Sequence, residues 1–137
     1  DKILLYLYKD IGLYWEHVLS KEDERDRCSQ LTNKGLNTFI RSGKIRLTVT
    51  TLDDVDSIHL HPGHVACTDT QSSKVKSLVH HLRNSIMHGL YQITRPGSRV
   101  WISFEDVNRR LDRTTLRGQV ELVKLKEMMN IIKNYSG

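Results

Sequence analysis

The sequence predicts one mostly α-helical domain spanning residues 1–137, a helical bundle with a small β-hairpin before the last helix. Three observations predict it. Apolar residues recur at helical spacing in separate stretches near the start, after residue 74 and at the end. Two short alternating runs flank Arg95-Pro96-Gly97-Ser98, and Pro followed by Gly is turn chemistry. A length of 137 residues suits a single domain.

The elements follow in order. Ile3, Leu4, Leu7, Tyr8, Ile11, Tyr14, Trp15, Val18 and Leu19 lie on one side of a helix over Asp1 to about Leu19. The run Lys21–Arg27 alternates in sign and reads as a solvated face or turn. Leu31, Leu36, Phe39 and Ile40 suggest a second helix, stopped by Ser42-Gly43. Ile45–Thr51 alternates with period two and is rich in β-branched residues, which favours a short strand. Asp53–Ser73 is polar, turns at His61-Pro62-Gly63-His64, and reads as irregular. Ser72 or Ser73 can cap a third helix that buries Val75, Leu78, Val79, Leu82 and Ile86 and ends at Gly89. Tyr91–Thr94 and Val100–Phe104 form the hairpin. Thr114 or Thr115 opens the last helix, with Leu116, Val120, Val123, Leu125, Met128, Ile131 and Ile132 near core spacing.

Composition narrows the function classes. Lys and Arg number 21 against 16 Asp and Glu, a net charge of +5 that mildly favours acidic partners such as nucleic acid. The longest apolar run, Ile3–Tyr8, is far below the roughly 20 residues of a spanning helix, so no membrane association is expected. Cys28 and Cys67 make no disulfide framework; idle thiols and the lack of a secretory signal pattern predict a cytoplasmic protein. The seven histidines cluster at His59/His61/His64 and at His80/His81/His88.

The third helix carries the chemistry. At 100° per residue, Arg83 flanks its apolar face on one side, and His81, Asn84 and His88 gather near the other. Arg83 and His88, five residues apart, lie about 140° from each other on an unbroken helix. Their cooperation therefore needs a distortion near Gly89 or a second copy of the chain. The residue types suit RNA cleavage: His moves protons near neutral pH, Arg clamps phosphate oxygens, and Asn orients groups without titrating. Attack by the RNA 2′-hydroxyl needs a base, an acid and a clamp, and no cofactor or metal. A helix end whose Arg and His only meet carbonyls and water gives the same pattern.

The string Leu82-Arg83-Asn84-Ser85-Ile86-Met87-His88-Gly89 resembles the signature of the HEPN superfamily: Arg, a polar residue, three variable residues, then His. The order helix, hairpin, acidic-polar stretch Phe104–Asn108 and final helix is also similar, over roughly Ser73 to Tyr135. The resemblance implies a HEPN-like helical bundle that pairs as a homodimer and acts as a metal-independent endoribonuclease. The implied setting is toxin–antitoxin, antiviral or stress response, with an antitoxin or other regulatory protein as partner. Arg83, His88 and Asn84 would be catalytic, with His81 and Tyr91 binding substrate. Members silenced by a nucleotidyltransferase carry Tyr two residues after the His; here Leu90 stands there and Tyr91 follows, so that silencing is not implied. Two rival readings stand beside this one: a zinc site built on His59, His61 and His64 with His81 or His88, and a non-catalytic dimeric nucleotide- or RNA-binding or scaffold module. Asp106 and Asn108 read as an end-of-strand turn or a minor part of the site.

Overall fold

The computed structural model describes residues 1–22, 45–71 and 74–134. The first predicted helix forms. Asp1 caps it, its carboxylate accepting from the Ile3 N–H at 2.7 Å. Helix α1 (Lys2–Tyr6) runs through a π-helical segment, Leu7–Leu13, into α2 (Tyr14–His17) and a closing 3₁₀ turn, Leu19–Lys21. Leu7, Ile11, Trp15 and Leu19 recur every fourth residue and are all buried. On a pure α-helix that spacing drifts by about 40° per step; the wider π turn, with its i→i+5 bonds, offsets the drift. The second predicted helix, with its Ser42-Gly43 stop, and most of the charge run lie outside the described residues.

The rest corrects the predicted fold class. The chain is not a mostly helical bundle: it is an α/β structure built on a five-stranded mixed sheet. Strand β1 (Arg46–Thr50) and β3 (Tyr91–Thr94) lie where the alternating runs placed them, whereas β4 (Trp101–Asn108) runs four residues past the predicted end at Phe104, so Asp106 and Asn108 lie in a strand and not in a turn. The hairpin register runs from Tyr91 opposite Phe104 to Thr94 opposite Trp101, around the Pro96-Gly97 turn. Two further strands were read otherwise. β2 (His64–Thr68) lies in the stretch read as irregular, and all five of its residues are buried. β5 (Arg113–Glu121) occupies the stretch read as the start of the last helix. The order is β1-β2-β5-β4-β3, with β1 parallel to β2 and the other neighbours antiparallel. A central strand buried on both faces shows no alternation, which is why β2 is silent as a pattern.

Helix α3 (Lys74–Met87) lays Val75, Leu78, Val79, Leu82 and Ile86 on the sheet, and all five are buried. Helix α4 (Leu122–Asn134) adds Leu122, Leu125, Met128, Met129 and Ile132 to the same core. Leu47, Val65 and Val120 of the sheet meet Leu78 and Leu82 of α3 and Leu125 and Met128 of α4 around one small apolar gap. On the other face the segment 51–62 crosses the sheet: the Val55 N–H donates to the Thr114 carbonyl at 2.9 Å, and Arg117 donates to the Ile58 carbonyl at 2.7 Å. Gly118 allows β2 and β5 to approach, since a Cβ there would lie 2.7 Å from the His64 carbonyl oxygen and from the Val65 Cα. Among the described residues no helix is long and apolar enough to cross a membrane.

Candidate functional site

The predicted motif sits on the last turns of α3, and a glycine ends that helix. Gly89 takes φ +70°, its N–H donates to the Ile86 carbonyl, and the Leu90 N–H donates to the Ser85 carbonyl at 2.8 Å. This pair of bonds is a Schellman stop, which left-handed glycine permits. It leaves His88 exposed as the last residue before the turn. Buried Ser85 fixes the helix end to the hairpin: its hydroxyl donates to the Leu90 carbonyl at 2.7 Å and accepts from the Glu105 N–H at 3.2 Å.

Beside this helix end lies an open cleft of about 780 Å³. His80, His81, Asn84 and His88 line it from α3, and Asp106, Arg109 and Thr115 from the β4–β5 hairpin. Asp106 owes its place to strand parity. Ile102, Phe104 and Asp106 alternate onto the buried face of β4, so a carboxylate fills a position the pattern reserves for an apolar side chain. The β4–β5 register shifts between Asp106 and Val107: Asp106 faces Leu116 and Val107 faces Thr114, leaving Thr115 as the extra residue of a β-bulge. The Thr115 hydroxyl reaches both the Asp106 carbonyl and its Oδ2 at 3.0 Å.

Three donors converge on that buried carboxylate. His81 Nδ1 lies 2.9 Å from Oδ2, Thr115 Oγ1 3.0 Å and Asn84 Nδ2 3.4 Å. Burial raises the Asp106 pKa, but the His81 and Thr115 hydrogen bonds, the His81 charge and the Asn84 amide outweigh it and hold the carboxyl below the usual range. An ionised Asp106 places a proton on His81 Nδ1; Nε2 lies 3.1 Å from Thr70 Oγ1 and 3.2 Å from Thr68 Oγ1, and the Thr68 carbonyl at 3.2 Å accepts from it only when Nε2 is protonated too. Asn84 also donates to His80 Nε2 at 3.3 Å, so the His80 proton sits on Nδ1, a buried atom without a hydrogen-bond partner among the described residues. Burial, then the neighbouring His81 charge, lowers the His80 pKa, which favours its neutral form.

The structure divides the sequence-predicted residues. His81, Asn84 and His88 share the cleft; Arg83 and Tyr91 do not line it. The Arg83 guanidinium points to the N-terminal helix, where Nε and Nη2 reach Glu16 Oε1 at 3.1 and 2.5 Å. Its Nη1 donates to Asn84 Oδ1 at 2.9 Å, fixing which end of that amide faces Asp106. Helix α3 stays regular, so Arg83 and His88 remain on different flanks. Tyr91 is half-buried opposite Phe104 and lines a separate cleft with His61 and Arg117. His64 turns away from the other loop histidines: it is buried in β2, with Nε2 2.8 Å from Thr48 Oγ1. Among the described residues no group of three or more His, Cys, Asp or Glu side chains is placed to hold a metal ion.

Sequence reasoning named His80 among the clustered histidines without giving it a role, missed Thr70 and Thr115, and left Asp106 between an end-of-strand turn and a minor part of the site. The signal for Asp106 was present in its period-two offset from Ile102 and Phe104. The threonines carried none, because their role depends on the undetected β2 and on the bulge. In comparison with known proteins, no family model, no curated protein and no solved structure matches the chain.

Proposed function

We propose that the chain is a metal-independent endoribonuclease that cleaves RNA through its 2′-hydroxyl. One observation carries the reading: His80, His81 and His88, the Asn84 amide and Arg109 surround a single open cleft. His88, exposed at the end of α3, moves the proton at the scissile phosphate. Arg109, at the β4–β5 turn, supplies positive charge for the RNA backbone, and Asn84 supports the site by holding His80 and Asp106 on its amide. The neutral form of His80 favoured by burial keeps its Nε2 an acceptor for the Asn84 amide, which holds that amide in place beside the cleft. A homodimer fits this chemistry, because a second copy can bring its Arg83 to a His88 that its own Arg83 does not approach. A toxin, antiviral or stress-response role, with a regulatory protein partner, goes with such an activity.

The test is incubation of total RNA in EDTA with wild type, His88→Ala and Arg83→Ala. Wild type is expected to leave 2′,3′-cyclic phosphate ends, and His88→Ala to cleave about a hundredfold more slowly or less. Wild-type rates from His88→Ala would reject the assignment. The Glu16 and Asn84 contacts that occupy Arg83 favour a second reading, a dimeric RNA- or nucleotide-binding module without cleavage. That reading predicts RNA retention on a filter and no new ends.

A further inference from the structure

The buried wall of the cleft holds a second constellation, built on His81 and Asp106, which takes no proton from RNA in the His88 chemistry. Asp106 Oδ2 lies 2.9 Å from His81 Nδ1, and His81 Nε2 lies 3.1 Å from Thr70 Oγ1. A carboxylate, an imidazole bonded through Nδ1 and a hydroxyl on Nε2 form the acid–base–nucleophile chain by which a neutral hydroxyl is activated. Two hydroxyls meet that Nε2, and burial separates them: Thr68 is only 4% exposed, whereas Thr70 is exposed and lines the cleft. The Thr68 hydroxyl, at 3.2 Å, can donate to Nε2, and the Thr68 carbonyl, also at 3.2 Å, accepts from Nε2 once that atom carries the proton. The carboxylate end is equally fixed, by the bulge residue Thr115 and by Asn84.

We propose that Thr70 is an acyl-accepting nucleophile, the exposed end of an Asp106–His81–Thr70 relay acting on small carboxylic esters. Thr70 Oγ1 attacks the ester carbonyl while its proton passes to His81 Nε2. The ester C–O bond then breaks, and His81 returns the proton to the departing alkoxide, leaving acyl-Thr70. Water, deprotonated by His81, hydrolyses that ester and regenerates the hydroxyl, so no oxidant or cofactor is consumed. Asp106 stabilises the imidazolium formed in each half-reaction. Leu90 and Val107, which line the same cleft, offer apolar surface to the acyl chain. This activity does not depend on the ribonuclease reading, and RNA is absent from its assay.

The experiment uses the full chain with p-nitrophenyl acetate, following phenolate release and mapping acetylation by tandem mass spectrometry. Acetyl is expected on Thr70. Thr70→Ala and His81→Gln should each lower release by about a hundredfold, while Thr70→Ser retains it. Because Thr70 is exposed, its Ala and Ser variants keep the fold, which circular dichroism checks. Acetylation confined to lysines or other histidines, or unchanged release from Thr70→Ala, would overturn the proposal.

Discussion

Asp106 is the residue on which the cleft turns, and its energetics give it a measurable signature. Its folded pKa lies below its unfolded one, so the stability it adds is complete above about pH 4 and is lost as pH falls through the folded value. Asp106→Asn keeps the shape but loses the charge-assisted bonds to His81 and Thr115; it should cost about 1–3 kcal/mol by urea unfolding at pH 7. The difference from wild type should shrink as pH drops below about 4. A gap that widened in acid would contradict this. His64 and His80 act with the same sign. Burial holds both below their ordinary value, so the unfolded chain takes up protons that the folded one refuses. Melting temperature should therefore fall as pH drops below about 6.5, less steeply in a His64→Gln variant that folds. Cys67 is fully buried, and burial with the nearby Asp69 charge pushes its thiol up to about 12. It should resist a thiol reagent in the native protein and react on unfolding.

At the scale of elements, two glycines test two kinds of packing. Gly118→Ala should break the β2–β5 approach, because its Cβ meets rigid backbone at 2.7 Å; a loss of about 1–3 kcal/mol is expected by chemical unfolding. Gly12→Ala should cost less, since its Cβ meets the flexible tip of Met87, which can swing aside. The elements also show what the sequence makes legible. α3 and the hairpin were readable because each holds one period over its whole length. β5 was not: Leu116 and Val120, four apart, satisfy both a helix turn and a strand that repeats every second residue. Val123 then extends the false helical stripe, although it is exposed on α4. β2 was hidden by its burial on both faces, and with it went Thr68 and half of the His81 environment. The cleft wall on α3 was thus legible, while the wall formed by the sheet was not.

For the molecule as a whole, the sheet explains how a motif on one helix becomes a site. It supplies the second wall, bringing Asp106 and Thr115 against side chains that periodicity alone left facing nothing. The N-terminal helix, in turn, holds Arg83 on Glu16, and Arg83 does not line the cleft that His88 lines. The proposed homodimer is open to a solution test: light scattering at micromolar concentration should return twice the mass of the chain, and a monomer would leave the proposal without a route for Arg83 to a His88. The bulge at Thr115 has a consequence in genetics as well as in geometry. An in-frame loss of that one codon would let β5 pair with β4 without interruption, and the sheet would close up as ordinary ladder. The product should melt no lower than Thr115→Ala, yet it would take the hydroxyl donor from Asp106. Both changes take that donor from Asp106, but only the shorter chain would also gain an uninterrupted ladder, so a loss in length would be easier to inherit than the substitution.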